Sequence, residues 1–135
     1  MADFSSIVVG RKGRAELVVG PEHTAERVGS GRIAVLATPV MINVIEAAAL
    51  DALEPLLPPG HQSLGIHLDV GHTAATPVGN KVEAEAEIIA LEGRMVTLRV
   101  TARDPFEVIG GGTHKRVVVN VGRFDARIQA KIPRP

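Results

Sequence analysis

One carboxylate stands out among the residues of this chain that could do chemistry. Glu46 interrupts the stretch 40–53, which is otherwise almost entirely apolar. A carboxylate in such surroundings must be hydrogen-bonded, paired with a cation or protonated. Two interpretations remain open. Glu46 either belongs to a thin exposed polar stripe with Asn43 and Asp51, or it is held at the edge of a pocket as a base or nucleophile.

The second candidate is His72, at the end of a predicted strand. Its spacing puts it on the apolar face of that strand, which carries Leu64, Ile66, Leu68 and Val70. A histidine on such a face is either a structural core residue or a catalytic one. If this face looks at the helix that carries Glu46, His72 and Glu46 converge across an apolar cleft, an arrangement suited to acid–base catalysis.

Thr38 and Pro39 predict the start of the helix that carries Glu46. Threonine is a common N-cap, and proline is tolerated at the first helical position, where its missing N–H costs nothing. The same helix end offers free backbone N–H groups and a positive dipole, which suit a developing oxyanion. Thr38 is therefore interpreted as a cap, as a catalytic residue, or as both.

The segment His114-Lys115-Arg116 is a local basic cluster in a chain of zero formal net charge. It is either a solvated strand end or a contact for a substrate phosphate. The preceding segment Gly110-Gly111-Gly112 interrupts a strand and opens no helix, so we expect a β-bulge there.

Composition and motifs exclude several classes of protein. The chain has no cysteine, which removes disulfides, iron–sulfur clusters, thiolate zinc sites and a cysteine nucleophile. Balanced charge, three Phe, no Trp and no Tyr argue against a nucleic-acid partner or an anionic membrane surface. No P-loop, nucleophile elbow, zinc-protease or dinucleotide motif occurs. Metal binding is disfavoured because the candidate histidines alternate between strand faces or lie far apart, at positions 61, 67, 72 and 114.

The N-terminus predicts no export signal. Asp3 lies where a signal peptide needs basic residues, and the longest uncharged stretch, 33–45, is too short to span a bilayer. We expect a soluble, cytoplasmic protein.

The elements that must position these residues follow from hydrophobic periodicity. The pattern predicts a strand over 14–19, a loop or lid over 22–37 and a long buried helix over 38–54. The period then becomes two, which predicts four further strands in a meander, over 64–73, 82–90, 96–103 and 107–121.

The hairpin between the second and third of these strands has a predicted register. A three-residue loop, Glu92-Gly93-Arg94, keeps both apolar faces on one side, whereas a two-residue loop sets apolar residues opposite polar ones. The three-residue loop pairs Glu87 with Arg99, and Glu83 with Arg103, on the wet face.

Residues 1–135 are thus expected to form one α+β domain, an antiparallel sheet of about five strands wrapped around one long central helix. This arrangement is typical of a hotdog domain. One helix cannot cover both faces of the sheet, so we expect a homodimer or a larger assembly.

Five short segments carry a resemblance to a known family. In order they are Ala37-Thr38-Pro39-Val40-Met41, Glu46-Ala47-Ala48, Ser63-Leu64-Gly65, Gly-His-Thr-Ala-Ala-Thr-Pro over 71–77, and Ile109-Gly110-Gly111-Gly112-Thr113-His114. Together they resemble the fluoroacetyl-CoA thioesterase branch of the hotdog thioesterases. The likeness runs from about residue 10 to the C-terminus, and its most specific part is the segment over 72–77.

The resemblance implies roles for particular residues. Its catalytic Thr, Glu and His correspond to Thr38, Glu46 and His72, its small-residue pocket contact to Gly65, and its basic residue on the CoA side to Arg116. In the implied reaction, water cleaves an acyl-CoA thioester without a cofactor, with CoA phosphates near His114 and Arg116. Glu46 either activates water or attacks the carbonyl itself, and His72 shuttles the proton.

Two points stay open at this level. The segment 32–37 lacks the aromatic residues that guard the pocket of the fluoroacetyl-specific relative, so the acyl group is undetermined. An acyl thioester hydratase or dehydratase on the same fold, or a non-catalytic acyl-CoA-binding module, would use the same residue types.

Overall fold

The computed structural model describes residues 3–135; Met1 and Ala2 of the predicted domain lie outside them. A single sheet carries one long helix. The elements in chain order are β1 (Lys12–Val18), α1 (Ala25–Val28), α2 (Thr38–Leu53), β2 (His61–His72), β3 (Lys81–Glu92), β4 (Met95–Arg103), β5 (Val108–Asn120) and α3 (Val121–Gln129). All sheet pairings are antiparallel. The predicted α+β class is therefore confirmed.

The core lies between α2 and the inner face of the sheet. The alternation predicted for β3 and β4 is confirmed, since both strands bury every second side chain: Val82, Ala84, Ala86, Ile88, Val96, Leu98, Val100 and Ala102. At the β1 edge the helix sits so close that a side chain at Gly13 would collide with the backbone of Ala48 and Ala52. The opposite face of α2, at Asn43, Ala47 and Leu50, lies open in the single chain.

The predicted four-strand meander is wrong for β2. The strands lie in the order β1-β3-β4-β5-β2, so β2 pairs with β5 at the sheet edge and not with β3. The glycine tract allows this pairing, because a side chain at Gly112 would fall on the backbone of Asp69 in β2. The tract is not the expected bulge, since Gly110-Gly111-Gly112 pairs regularly with both neighbouring strands. The irregularity lies one step earlier, where Arg103 pairs with Val108 and Ala102 with Gly110.

The β3–β4 hairpin has the predicted register with a different turn. Glu87 pairs with Arg99 and Glu83 with Arg103, as expected. The three-residue loop is wrong, because Glu92 pairs with Met95 across a two-residue turn. A register shift between Ile88 and Ala90 supplies the extra residue in the strand, and so keeps both apolar faces together.

Two segments contain more structure than the sequence predicted. The loop or lid over 22–37 holds the short α1, is closed on itself by the bridge Thr24–Leu36, and is tied to the rest of the chain by the bridge Val35–Pro77. The last strand ends at Asn120, whose side chain accepts a hydrogen bond from the N–H of Arg123 at 3.1 Å and caps α3. In the described part of the chain, no helix is long and apolar enough to cross a membrane.

Candidate active site

Thr38 and His72 form a hydrogen-bonded pair where α2 begins and β2 ends. Thr38 Oγ lies 2.7 Å from His72 Nδ1. The prediction of Thr38 as N-cap is wrong, because Ala37 occupies that position and Thr38 is the first helical residue. The threonine hydroxyl is therefore free of a capping role and available to the histidine.

His72 has one ring nitrogen left for a ligand. Its Nε2 is buried and has no hydrogen-bond partner among residues 3–135. A buried polar atom without a partner is costly, so such an atom indicates a missing partner such as a substrate or water. Burial also lowers the pKa of His72, which keeps the imidazole neutral and able to accept a proton.

A cavity of about 350 Å³ opens beside this pair. Its other walls come from the lid and from the segment after β2, and their side chains are mostly small: Ala25, Ser30, Gly31, Arg32, Ile33, Val35, Leu36, Thr73, Ala74 and Ala75. The N–H of Leu36 donates to the carbonyl of Thr76 at 2.8 Å, which holds the lid against this wall. Cavities of this size and apolar character typically take small organic groups.

Glu46 lies farther along α2, in a second cluster. Its Oε2 is 3.2 Å from Arg116 Nη1 and 3.8 Å from His114 Nε2, and its side chain is 34% exposed. The helix rise puts Thr38 and Glu46 about 12 Å apart along the axis. Within one chain the structure therefore pairs Glu46 with Arg116 and keeps it apart from His72.

The other interpretation, a thin exposed stripe of Asn43, Glu46 and Asp51, agrees with the exposure of Asn43 and Asp51, whereas Glu46 is partly buried against Arg116. Asp51 Oδ2 accepts a hydrogen bond from the backbone N–H of Arg14 at 2.9 Å, at the opposite edge of the sheet. Glu46 and Asp51 thus have different partners.

Gly65 makes room for the Glu46 carboxylate. A Cβ at this position would lie 2.5 Å from Glu46 Oε2 and 3.0 Å from His114 Cε1. Any larger residue would therefore press on the carboxylate. The absence of a side chain at Gly65 therefore lets Glu46 Oε2 lie directly against the backbone of β2.

A register shift in β2 between Gly65 and His67 reverses the predicted faces in the first part of the strand. Leu64 and Ile66, predicted to face the helix, are 38% and 52% exposed, whereas Ser63 is buried. After the shift the prediction is right, since Val70 packs on the core and His72 reaches α2. The bulge therefore lets Gly65 and His72 share one face.

His114 and Arg116 do not lie at a solvated strand end. Their exposed fractions are 0% and 5%, so that interpretation is wrong. The expected contact with a CoA phosphate is not available either, because the guanidinium is directed to Ser63 and Glu46 inside the chain. Burial, together with the adjacent Arg116 charge, lowers the pKa of His114. Sequence reasoning missed Ser63, although the segment Ser63-Leu64-Gly65 contained it.

Comparisons with known proteins define the class to which this fold and site belong. The model of a family described as fluoroacetyl-CoA-specific thioesterase matches residues 19–122. The fluoroacetyl-CoA thioesterase of Streptantibioticus cattleyicolor is 43% identical over 99 residues, 73% of this chain and 71% of that protein. A variant of the fluoroacetyl-CoA thioesterase, solved in complex with acetyl-CoA, is 36% identical, with a TM-score of 0.85 over 93% of this chain and 99% of that one.

A hot-dog-like protein from Thermanaerovibrio acidaminovorans, 23% identical, covers 97% of both chains with a TM-score of 0.87 and shows the fold alone. The architecture is therefore a hotdog fold of the thioesterase class. More particularly, the chain belongs to the fluoroacetyl-CoA-specific thioesterase family.

Proposed function

We propose that this protein hydrolyses acyl-CoA thioesters with Thr38, Glu46 and His72 as its catalytic residues. The observation that carries the proposal is the 2.7 Å contact between Thr38 Oγ and His72 Nδ1, with the unpartnered His72 Nε2 beside a small apolar cavity. The relative solved with acetyl-CoA supports a CoA thioester as the substrate class. The acyl group then occupies the cavity, and the thioester carbonyl lies near the start of α2.

In the proposed reaction, water adds to the thioester carbonyl, the C–S bond breaks, and the products are a free acid and CoA. The backbone N–H of Thr38 stabilises the oxyanion, since Pro39 has no N–H and those of Val40 and Met41 donate to the Ala37 carbonyl. Neutral His72 accepts a proton from the hydrolytic water and passes it to the CoA sulfur. Glu46 either positions and polarises this water as it adds to the thioester carbonyl, or attacks the carbonyl first. In the second case CoA leaves as the thiolate, and the water that gives its proton to His72 cleaves the resulting anhydride.

A homodimer joined along β2 brings the two clusters together. β2 is an edge strand with exposed apolar side chains at Leu64, Ile66 and Leu68, which is typical of a surface that another copy covers. An antiparallel pair of β2 strands centred between Leu68 and Asp69 places His72 of one copy opposite Gly65 of the other. Each site then uses Glu46 from one copy with Thr38 and His72 from the other.

Thiol release from a panel of acyl-CoAs, read with a thiol-reactive dye, tests the activity. The panel includes short, branched, aromatic and halogenated acyl groups, and the cysteine-free chain adds no background. We expect release that is lost in His72→Ala. No release from any substrate would overturn the proposal, and loss of an enoyl-CoA chromophore without thiol release would indicate a hydratase.

Mixing two inactive variants tests the shared site. Glu46→Gln and His72→Ala homodimers are unfolded together and refolded at equal ratio. If each site combines residues from two copies, every heterodimer carries one intact site, and about a quarter of the wild-type rate returns. If each copy holds a complete site, every site carries at least one substitution and no activity returns.

A further inference from the structure

A buried cation lies beneath the Glu46 carboxylate, held by side chains to which the proposed mechanism assigns no role. Arg116 is 5% exposed, and its neighbours Ser63 and His114 are 6% and 0% exposed. Burying a guanidinium is costly unless its N–H groups are hydrogen-bonded. The distribution of these hydrogen bonds therefore shows how the group is oriented.

Ser63 and His114 take most of the Arg116 donors. Nε donates to Ser63 Oγ at 2.8 Å and Nη2 donates to the Ser63 carbonyl at 3.1 Å. Nη1 lies 3.1 Å from His114 Nε2 and donates to Glu46 Oε2 at 3.2 Å. Only one of these four contacts reaches Glu46, so the plane of the guanidinium is set by the other three.

The tautomer of His114 follows from its two partners. His114 Nδ1 lies 2.8 Å from the carbonyl of His67, which can only accept, so Nδ1 carries the proton. His114 Nε2 then has a lone pair that accepts from Arg116. The histidine is thus neutral and holds Nη1 without competing for the carboxylate.

We propose that Ser63 is a positioning residue for Glu46 and acts through Arg116, with His114 as the second support. Three contacts from these two residues hold Arg116 so that it binds Oε2 alone, and Glu46 Oε1 forms no hydrogen bond within residues 3–135. One oxygen is anchored while the other stays free for water or the thioester carbonyl. This inference rests on the proposed catalytic role of Glu46.

The test compares Ser63→Ala with Ser63→Thr, which keeps the hydroxyl, and with Gln62→Ala at the exposed neighbouring position of β2 as control. We expect Ser63→Ala to lower kcat about tenfold with KM nearly unchanged, because small displacements of a reacting group are costly. Ser63→Thr restores most of kcat, and Gln62→Ala leaves it unchanged. Unchanged kcat in Ser63→Ala would overturn the inference.

A double-mutant cycle separates positioning from structural support. Glu46→Asp shortens the carboxylate and breaks its contact with Arg116, so Ser63→Ala should cause no further loss of kcat in that background. An undiminished tenfold loss there would show that Ser63 does not act through Glu46. Full activity of Glu46→Gln would instead overturn the proposed function itself, so the two failures are distinguishable.

A measurement on the wild-type protein covers the case in which Ser63→Ala does not fold. Nitrogen-15 NMR of labelled histidine distinguishes the two neutral tautomers and the imidazolium. We expect His114 to be neutral at pH 7 with the proton on Nδ1. A proton on Nε2 would prevent acceptance from Arg116 and would overturn the inference.

Discussion

Gly65 lies directly over the carboxylate of Glu46, so close that a Cβ there would be 2.5 Å from Oε2. The contact joins the middle of β2 to the middle of α2, and the carboxylate occupies the place that a side chain at position 65 would take. The contact is easy to test, since a single methyl group at position 65 is enough to displace the carboxylate.

Gly65→Ala should reduce kcat for thiol release by at least about tenfold, because the new methyl displaces Glu46 from its position beside Arg116. Its backbone is not in the left-handed region, so alanine adds no backbone strain. Gly71→Ala in the same strand is the matched control, since its Cβ would meet only Thr73 Cγ2 at 3.6 Å. Equal activity of both variants would contradict a role for the close approach of Gly65 to Glu46.

Thr38→Val should lower kcat about a hundredfold, because it removes the hydroxyl bonded to His72 and preserves the size of the side chain. The helix should remain intact, since Thr38 makes no side-chain cap. Thr38→Ser, which retains the hydroxyl, is the control and should keep most of the activity. The measurement is kcat with one acyl-CoA, alongside circular dichroism to verify folding. A fully active Thr38→Val would remove Thr38 from the site.

The stability of the fold should decrease as the pH falls below about 6.5. Burial lowers the pKa of both His72 and His114 from the ordinary value of 6.5 in the folded chain. Between the pKa of each histidine in the folded chain and its pKa of 6.5 in the unfolded chain, the unfolded chain binds more protons. The free energy of unfolding therefore decreases as the pH decreases through this range. Urea unfolding between pH 5 and 8 measures this slope.

Replacing His114 with Gln should flatten this dependence on pH, since one of the two groups no longer titrates. Replacing the exposed His67 provides the control, and its variant should keep the wild-type slope. A slope that is the same in all three proteins would show that buried histidines do not govern acid stability.

Asp104→Ala should lower the free energy of unfolding by about 1–3 kcal/mol, since it leaves the buried hydroxyl of Thr76 and two backbone N–H groups without their acceptor. The carboxylate of Asp104 accepts from Thr76 Oγ at 3.0 Å and from the N–H groups of Phe106 and Glu107 at 2.9 and 3.0 Å. Because the carbonyl of Thr76 holds Leu36 of the lid, hydrogen exchange at Leu36 should also become faster. The exposed Asp125→Ala is the control. Unchanged exchange at Leu36 would show that the hydrogen bonds of Asp104 do not stabilise the position of the lid.

The sequence was sufficient to predict the elements whose periodicity is uninterrupted. β3 and β4 alternate cleanly, and their paired residues were predicted even though the turn between them was not. The insertion of one residue at Ile89 and the shorter turn compensate each other, and no residue type in the hairpin signals either change. Several combinations of turn and bulge give the same pairing, so alternation alone cannot choose among them.

For the candidate site, the sequence allowed residues to be selected but did not allow their contacts to be predicted. Thr38, Glu46 and His72 could be chosen because each is a polar residue in an apolar setting or at a helix end. Which cation meets Glu46 depends on the order of strands, because Arg116 reaches it only when β2 and β5 are neighbours. That order is set by long-range pairing, which the local pattern does not contain.

The bulge in β2 also limits how this scaffold can be altered. Gly65 and His72 are an odd number of positions apart, so in an unbroken strand they would point to opposite sides. Deleting Ile66 would therefore turn one of them to solvent while the ladder with β5 remained regular. When this strand is grafted or shortened, the eight residues from Gly65 to His72 therefore have to be kept together, and the length of this segment matters as much as its composition.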